Sequence, residues 1–199
     1  MQPHDPLAAL EVSRLTGAET FHRGASSQNL SVLQFWQWTA SDLANATLRG
    51  HLAEFFVATA LDAVGEVRIE WDACDIRTAS GVKVEVKSSA YIQSWAQSAH
   101  TRISFDIAPR TSWDSVTNEY LTTAGRHSDL YVFCLQTCTD PASFDALDLD
   151  QWRFHVLSTR ALDDNLGGQK TLALGRLAEI GAIECDFAGI PEAVASVMR

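Results

Sequence analysis

The run Val82-Lys83-Val84-Glu85-Val86-Lys87-Ser88 alternates so strictly that it reads as a strand, with valines on one face and Lys83, Glu85 and Lys87 on the other. Upstream, Ala79-Ser80-Gly81 between Thr78 and Val82 has the form of a three-residue hairpin loop, with Gly81 in the left-handed position. In that register Arg77 faces Lys83, and Asp75 faces Glu85 with Cβ atoms about 5 Å apart. Acid stands on acid and base on base, although exchanging partners would pair every charge. A merely solvated strand face has little reason for that. A divalent cation removes the penalty, because Asp75 and Glu85 are hard oxygen donors of the kind Mg²⁺ prefers and leave positions for water and a phosphate. Lys87, about 7 Å farther along the same face, can meet charge developing on a phosphate oxygen. A slip of one residue would set Glu85 opposite Ile76 and dissolve the pair.

Asp75, nine intervening residues and Glu85-Val86-Lys87 resemble the motif of the PD-(D/E)XK, or restriction-endonuclease-like, nuclease superfamily. The resemblance covers roughly residues 45–135. It implies an α/β fold whose mixed central sheet is flanked by helices in the order α-β-β-β-α-β, with N- and C-terminal extensions. It also implies hydrolysis of DNA phosphodiesters with Mg²⁺, or Mn²⁺ as a substitute. On this chain the metal would be held by Asp75, Glu85 and the carbonyl of Val86, and Lys87 would position or activate the attacking water. Many members add a glutamate from the first core helix, here Glu54. Cys74 stands where the motif's name has proline, and Asp72 is a rival for Asp75.

Glu54 shares a helical stripe with Gly50, Val57, Ala58 and Leu61, where a carboxylate is costly unless paired or facing a metal. Arg49 or His51 could pair with it instead; His51 with Glu54 also spells a His-x-x-Glu metal pair that has no counterpart elsewhere. Beyond the lysine, Ser88, Ser89, Tyr91 and Gln93 could hold phosphate or water, or simply form a turn. Trp71, Trp95 and Trp113 flank the proposed site, and an exposed ring there can stack a base for about 1–3 kcal/mol. Arg49, Arg102, Arg110 and Arg126 are candidate phosphate clamps. From this group Ser88, Gln93, Trp95, Arg49 and Arg126 are the candidate substrate contacts. Asp129 opens an apolar strand and reads as its cap.

The surrounding pattern supplies elements to carry these residues. Leu7–Leu15 suggests a short helix, and the aromatic stretch Leu30–Trp38 reads as packed. A long helix follows, with Ser41 as N-cap and Gly65 as its stop. Strands are expected at Val67–Trp71, Asp75–Thr78, Val82–Ser88, Arg102–Ala108, Leu130–Leu135 and Trp152–Leu157, and helices at Leu172–Ile180 and Pro191–Met198. Residues 109–128 fit no pattern. The organisation is one domain, with an extension at 1–40, a nuclease-like core at 41–136 and a completing segment at 137–199.

Composition narrows the partners. The 199 residues are 46% hydrophobic and 20% charged, an ordinary globular balance. The formal charge of −10 excludes a polybasic nucleic-acid or membrane binder. Between Arg77 and Arg126, six basic and four acidic side chains leave a local +2, so a polyanion such as DNA would approach the middle third. Four cysteines without a CxxC or Cys/His array read as reduced thiols. With no membrane span or secretory leader in view, the expected compartment is the cytoplasm. Cutting two strands would suit a homodimer, although no heptad or apolar stripe demonstrates one. Two other readings stay open: an inactive nuclease-like module that binds DNA or a targeting protein, and a carboxylate-pair glycosidase. Lys87 and the close spacing of the acids disfavour the glycosidase.

Overall fold

The structure is a computed structural model that describes residues 10–65, 67–70, 72–115 and 117–199. It divides into two compact units, Met1–Ser41 with Gly65–Arg68, and Asp42–Val64 with Ile69–Arg199.

In the first unit, β1 (Thr20–Arg23) pairs antiparallel with β2 (Ser26–Ser31), and α1 (Val32–Ala40) follows. A reciprocal cap starts that helix: Ser31 Oγ accepts from the Gln34 amide at 3.2 Å, and Gln34 Oε1 accepts from the Ser31 amide at 2.7 Å. The aromatic stretch expected to be packed is not. No residue of α1 is buried, and Trp38 is 84% exposed. Residues 10–15 are not helical; the start of the short helix expected at Leu7–Leu15 lies outside the described residues.

In the second unit the first helix is α2 (Ala46–Ala60). Its N-cap is Asn45, whose side chain accepts from the Thr47 amide at 3.0 Å. Ser41 instead bonds back to the Gln37 carbonyl at the end of α1, so a turn separates the two helices. Nor does Gly65 end α2. Asp62 takes the left-handed conformation (φ 51°), which a short polar side chain tolerates, and the Ala63 amide closes on the Ala58 carbonyl at 2.8 Å.

The remaining elements are β3 (Ile76–Arg77), β4 (Lys83–Ala90), β5 (Ser104–Asp106), β6 (Arg110–Asp114), β7 (Glu119–Gly125), β8 (Leu130–Gln136), β9 (Trp152–Ser158), α3 (Thr159–Leu166), β10 (Thr171–Ala173), α4 (Leu174–Glu179), β11 (Ile183–Cys185) and α5 (Ile190–Val197). The central sheet runs β11-β9-β8-β4-β3. Only β4 and β8 are parallel, so the fold is mixed α/β around a mixed sheet. The apolar run of β8 is buried along its whole length, as an interior strand requires.

Alternation splits the core between the two faces of this sheet. Val84, Val86, Val132, Phe154 and Val156 pack on one side with α2 and α5. On the other side Tyr131, Phe133 and Leu157 pack with Phe105, Leu162, Leu172 and Leu177. Several expectations fail here. Val67–Glu70 form no strand, and Trp71 lies outside the described residues. The strand expected over 102–108 shrinks to β5, which leaves the central sheet to pair with β10. That pairing makes Thr171–Ala173 extended, so the helix expected from Leu172 starts only at Leu174. The described residues between β4 and β8 form β5 and the β6–β7 ribbon, with no helix. No described helix is long and apolar enough to cross a membrane.

Candidate active site

The hairpin register is the one the alternation predicts. Ile76 pairs with Val84 and Arg77 with Lys83. The Asp75 amide bonds to the Val84 carbonyl at 3.1 Å and the Thr78 amide to that of Val82 at 3.0 Å. Gly81 supplies the left-handed residue, at φ +87°. The pairing carries Asp75 to Glu85, and both line one cleft of about 290 Å³ together with Lys87.

Each acid is held. Asp75 Oδ2 accepts from the Val86 amide at 2.7 Å. Glu85 Oε1 accepts from the Lys87 ammonium at 2.5 Å, and its Oε2 accepts from the Ser128 hydroxyl at 3.2 Å. Burial, then the neighbouring Glu85 and Glu54 carboxylates, push Asp75 up to about 7, against the pull of Lys87 and the Val86 amide. Burial works to lower Lys87, but Glu85 and Asp75 outweigh it and hold the ammonium above its ordinary value. The resemblance assigned Val86 a role through its carbonyl; in the structure its amide is the group that grips a site residue.

The like-charged pair Arg77 and Lys83 finds its answer in the β6–β7 ribbon. Asp114, only 7% exposed, lies 3.7 Å from the Arg77 guanidinium and 3.6 Å from the Lys83 ammonium. Asp72, the rival for Asp75, also lines the cleft. Its carboxylate stands 3.6 Å from Arg77 and accepts from the Ala73 and Ser115 amides at 2.7 and 3.1 Å. It therefore ties the hairpin to the ribbon. Asp129 does not cap the strand it opens; its carboxylate accepts from the Lys83 amide at the start of the neighbouring β4 at 2.8 Å.

Helix α2 packs on β4. At Gly50 a Cβ would stand 4.0 Å from Ser88 Oγ, which places Ser88 on the helix side of the strand, away from the cleft. Glu54 lies half-buried one turn beyond Gly50, close enough to Asp75 to raise it.

Of the other expected substrate contacts, Arg49, Gln93 and Trp95 lie outside this cleft, whereas Arg126 lines it. Arg49 is 5% exposed; its guanidinium donates to the Ala44 carbonyl at 2.9 Å and to Gln93 Oε1 at 3.1 Å. Gln93 is thereby turned inward, its amide donating to the Ala90 carbonyl and to Thr101 Oγ1. Arg126 lines the cleft, yet its side chain is only 1% exposed. It donates to the carbonyls of Ile107, Gly167 and Gln169 at 2.8–2.9 Å and pairs with Asp163. Four of its five N–H donors are thus engaged inside the fold, three of them by carbonyls that need a buried partner. Trp95 is 60% exposed and lines a separate apolar groove with Ile92, His100 and Pro141.

A family model described as Bacteriophage T4 endonuclease IV matches residues 15–160, nearly three-quarters of the chain. The chain belongs to the bacteriophage T4 endonuclease IV family. The nuclease expectation thus holds at the level of the family. No curated protein and no solved structure matches the chain. The part that carries the T4 endonuclease IV likeness spans Glu54, Asp75, Glu85 and Lys87 and stops at the start of α3.

Within this T4 endonuclease IV family member, several cleft residues escape local pattern. Ser128 reaches Glu85 from the lead-in to β8. Asp106, Arg110, His127 and Tyr131 line the same cleft. The Asp106 carboxylate pairs with Arg110 and accepts from the Ala108 amide at 2.9 Å. His127 Nε2 meets the Arg110 carbonyl at 2.8 Å. Only Arg110 carried a signal, as one arginine among several; the rest depend on strands remote in sequence.

Proposed function

We propose that this chain is a Mg²⁺-dependent endonuclease of the PD-(D/E)XK type that hydrolyses DNA phosphodiester bonds with an activated water. The observation that carries this reading is the pair Asp75 and Glu85, opposed across the hairpin and lining one cleft with Lys87. Asp75 is pushed up to about 7 by burial and by its carboxylate neighbours, a penalty that a shared cation would remove. The donor set fits Mg²⁺ or Mn²⁺: Asp75 and Glu85, with Glu54 and the Val86 carbonyl as further oxygens. Bound there, the ion would polarise a phosphate and make water acidic enough to attack at neutral pH. Asp75 and Glu85 would hold and neutralise the ion, while the Val86 amide keeps Asp75 aimed into the cleft. Lys87 orients the attacking water and meets charge on the phosphate. The ammonium is already aligned by Glu85. An acidic protein whose bare cleft repels DNA should bind it in a metal-dependent, steeply salt-dependent way. Four free cysteines accord with a cytoplasmic place of action. Cleavage of DNA with Mg²⁺ or Mn²⁺ tests the assignment. Glu85→Ala and Lys87→Ala should each abolish cutting without unfolding the protein, and cutting that survives both would overturn it.

One observation favours a second reading. Among the described residues no three His, Cys, Asp or Glu side chains converge as a metal site. The fold could then serve as an inactive module that binds DNA or a targeting protein. Calorimetry separates the two, since a scaffold need show no Mg²⁺ binding for Asp75→Asn to remove.

A further inference from the structure

Tyr131 is the register partner of Glu85 on the adjacent parallel strand, about 4.8 Å away. Partners on neighbouring strands rise from the same face, so the phenol stands beside the catalytic acids and lines the same cleft. The residue is only 4% exposed, and its ring stacks on the fully buried Phe133 with centroids 5.7 Å apart and planes at 20°. Buried tyrosines normally give their hydroxyl a partner. Among the described residues, the Tyr131 hydroxyl has no hydrogen-bond partner. Phenylalanine would stack equally well here, and the hydroxyl is not sealed from solvent but opens on the cleft. The packing therefore accounts for the ring and leaves the oxygen unexplained.

Resting on the nuclease reading above, we propose that Tyr131 is a further catalytic residue whose hydroxyl donates a hydrogen bond to a non-bridging oxygen of the scissile phosphate. A phenol keeps its proton throughout the neutral range and can donate without being consumed. No bond to the tyrosine forms. Water attacks phosphorus, the bond to the leaving oxygen breaks, and the hydroxyl stabilises the charge that builds on the phosphate between those events. Lys87 projects from the same face of β4 two residues beyond Glu85, so ammonium and phenol would flank the phosphate from neighbouring strands.

The test is Tyr131→Phe, which keeps the ring and removes one oxygen. Its melting temperature should match the parent's, because the hydroxyl makes no hydrogen bond within the fold. Its single-turnover cleavage rate with Mn²⁺ should fall roughly 10- to 100-fold, while Glu85→Ala abolishes cutting. A phosphorothioate at the scissile position supplies the second measurement, since sulfur accepts hydrogen bonds poorly. For the diastereomer that places sulfur toward the tyrosine, the losses from Tyr131→Phe and from sulfur should be much less than multiplicative. Parental cutting by Tyr131→Phe, or multiplicative losses with both diastereomers, would overturn the tyrosine's role and leave the nuclease reading standing. A wild-type chain that cuts no DNA with Mg²⁺ or Mn²⁺ would overturn both.

Discussion

The Val86 amide donates a 2.7 Å hydrogen bond to the Asp75 carboxylate across the hairpin. A backbone group of the strand that carries Glu85 and Lys87 thus orients the opposing acid. The position of Asp75 is built into the ladder and does not depend on a flexible side chain.

That position has a cost that can be measured against pH. The folded-state value of about 7 lies above the ordinary 3.8, so the folded chain binds the proton more tightly than the unfolded one. The stability this provides is complete below about 3.8 and is lost as pH rises through about 7. Asp75→Asn keeps an oxygen for the Val86 amide and carries no charge. In thermal melts without metal it should match the parent near pH 4 and exceed it by pH 8, on the order of a few kcal/mol. A difference that stays constant across that range would contradict the account.

Lys87 and a metal ion would compete for Glu85. The ammonium sits 2.5 Å from Glu85 Oε1, so Lys87→Ala should leave Mn²⁺ binding intact or tighter in calorimetry. The same variant should lose about 100-fold or more in cleavage rate. Glu85→Ala should lose metal binding and cleavage together. Equal loss of metal binding in both variants would make the lysine a structural support only.

Gly81 isolates a backbone effect. Its φ is +87°, and nothing lies within 4 Å of a Cβ built there. Gly81→Ala should therefore cost about 1 kcal/mol through backbone strain alone, seen as a drop of about 2–4 °C in melting temperature. A neutral result would mean that the loop relaxes without disturbing the register.

Arg126 distinguishes a structural guanidinium from a phosphate clamp. Four of its five donors go to three carbonyls and Asp163, so Arg126→Ala should destabilise the fold by about 2–4 kcal/mol. The salt dependence of DNA binding should not change, whereas loss of a phosphate contact would lower the slope by about 1.

The hairpin was legible because everything that specifies it lies within Asp75–Lys87. Period-two alternation set the face, Gly81 closed the turn, and together they fixed which charges must meet. The buried strand Leu130–Gln136 was equally plain from its apolar run. What answers the opposed Arg77 and Lys83 was not legible, since Asp114 arrives from a ribbon whose polar strands show no clear period. Arg49 and Arg126 looked like surface cations, because local pattern does not reveal which carbonyls a fold will bury beside a guanidinium. Tyr131 read as one more apolar strand residue until the parallel pairing of β4 with β8 set it next to Glu85. Short-range sterics and alternation wrote the hairpin into the chain itself. The walls of the cleft depend on contacts between distant segments, and those exist only once the sheet has assembled.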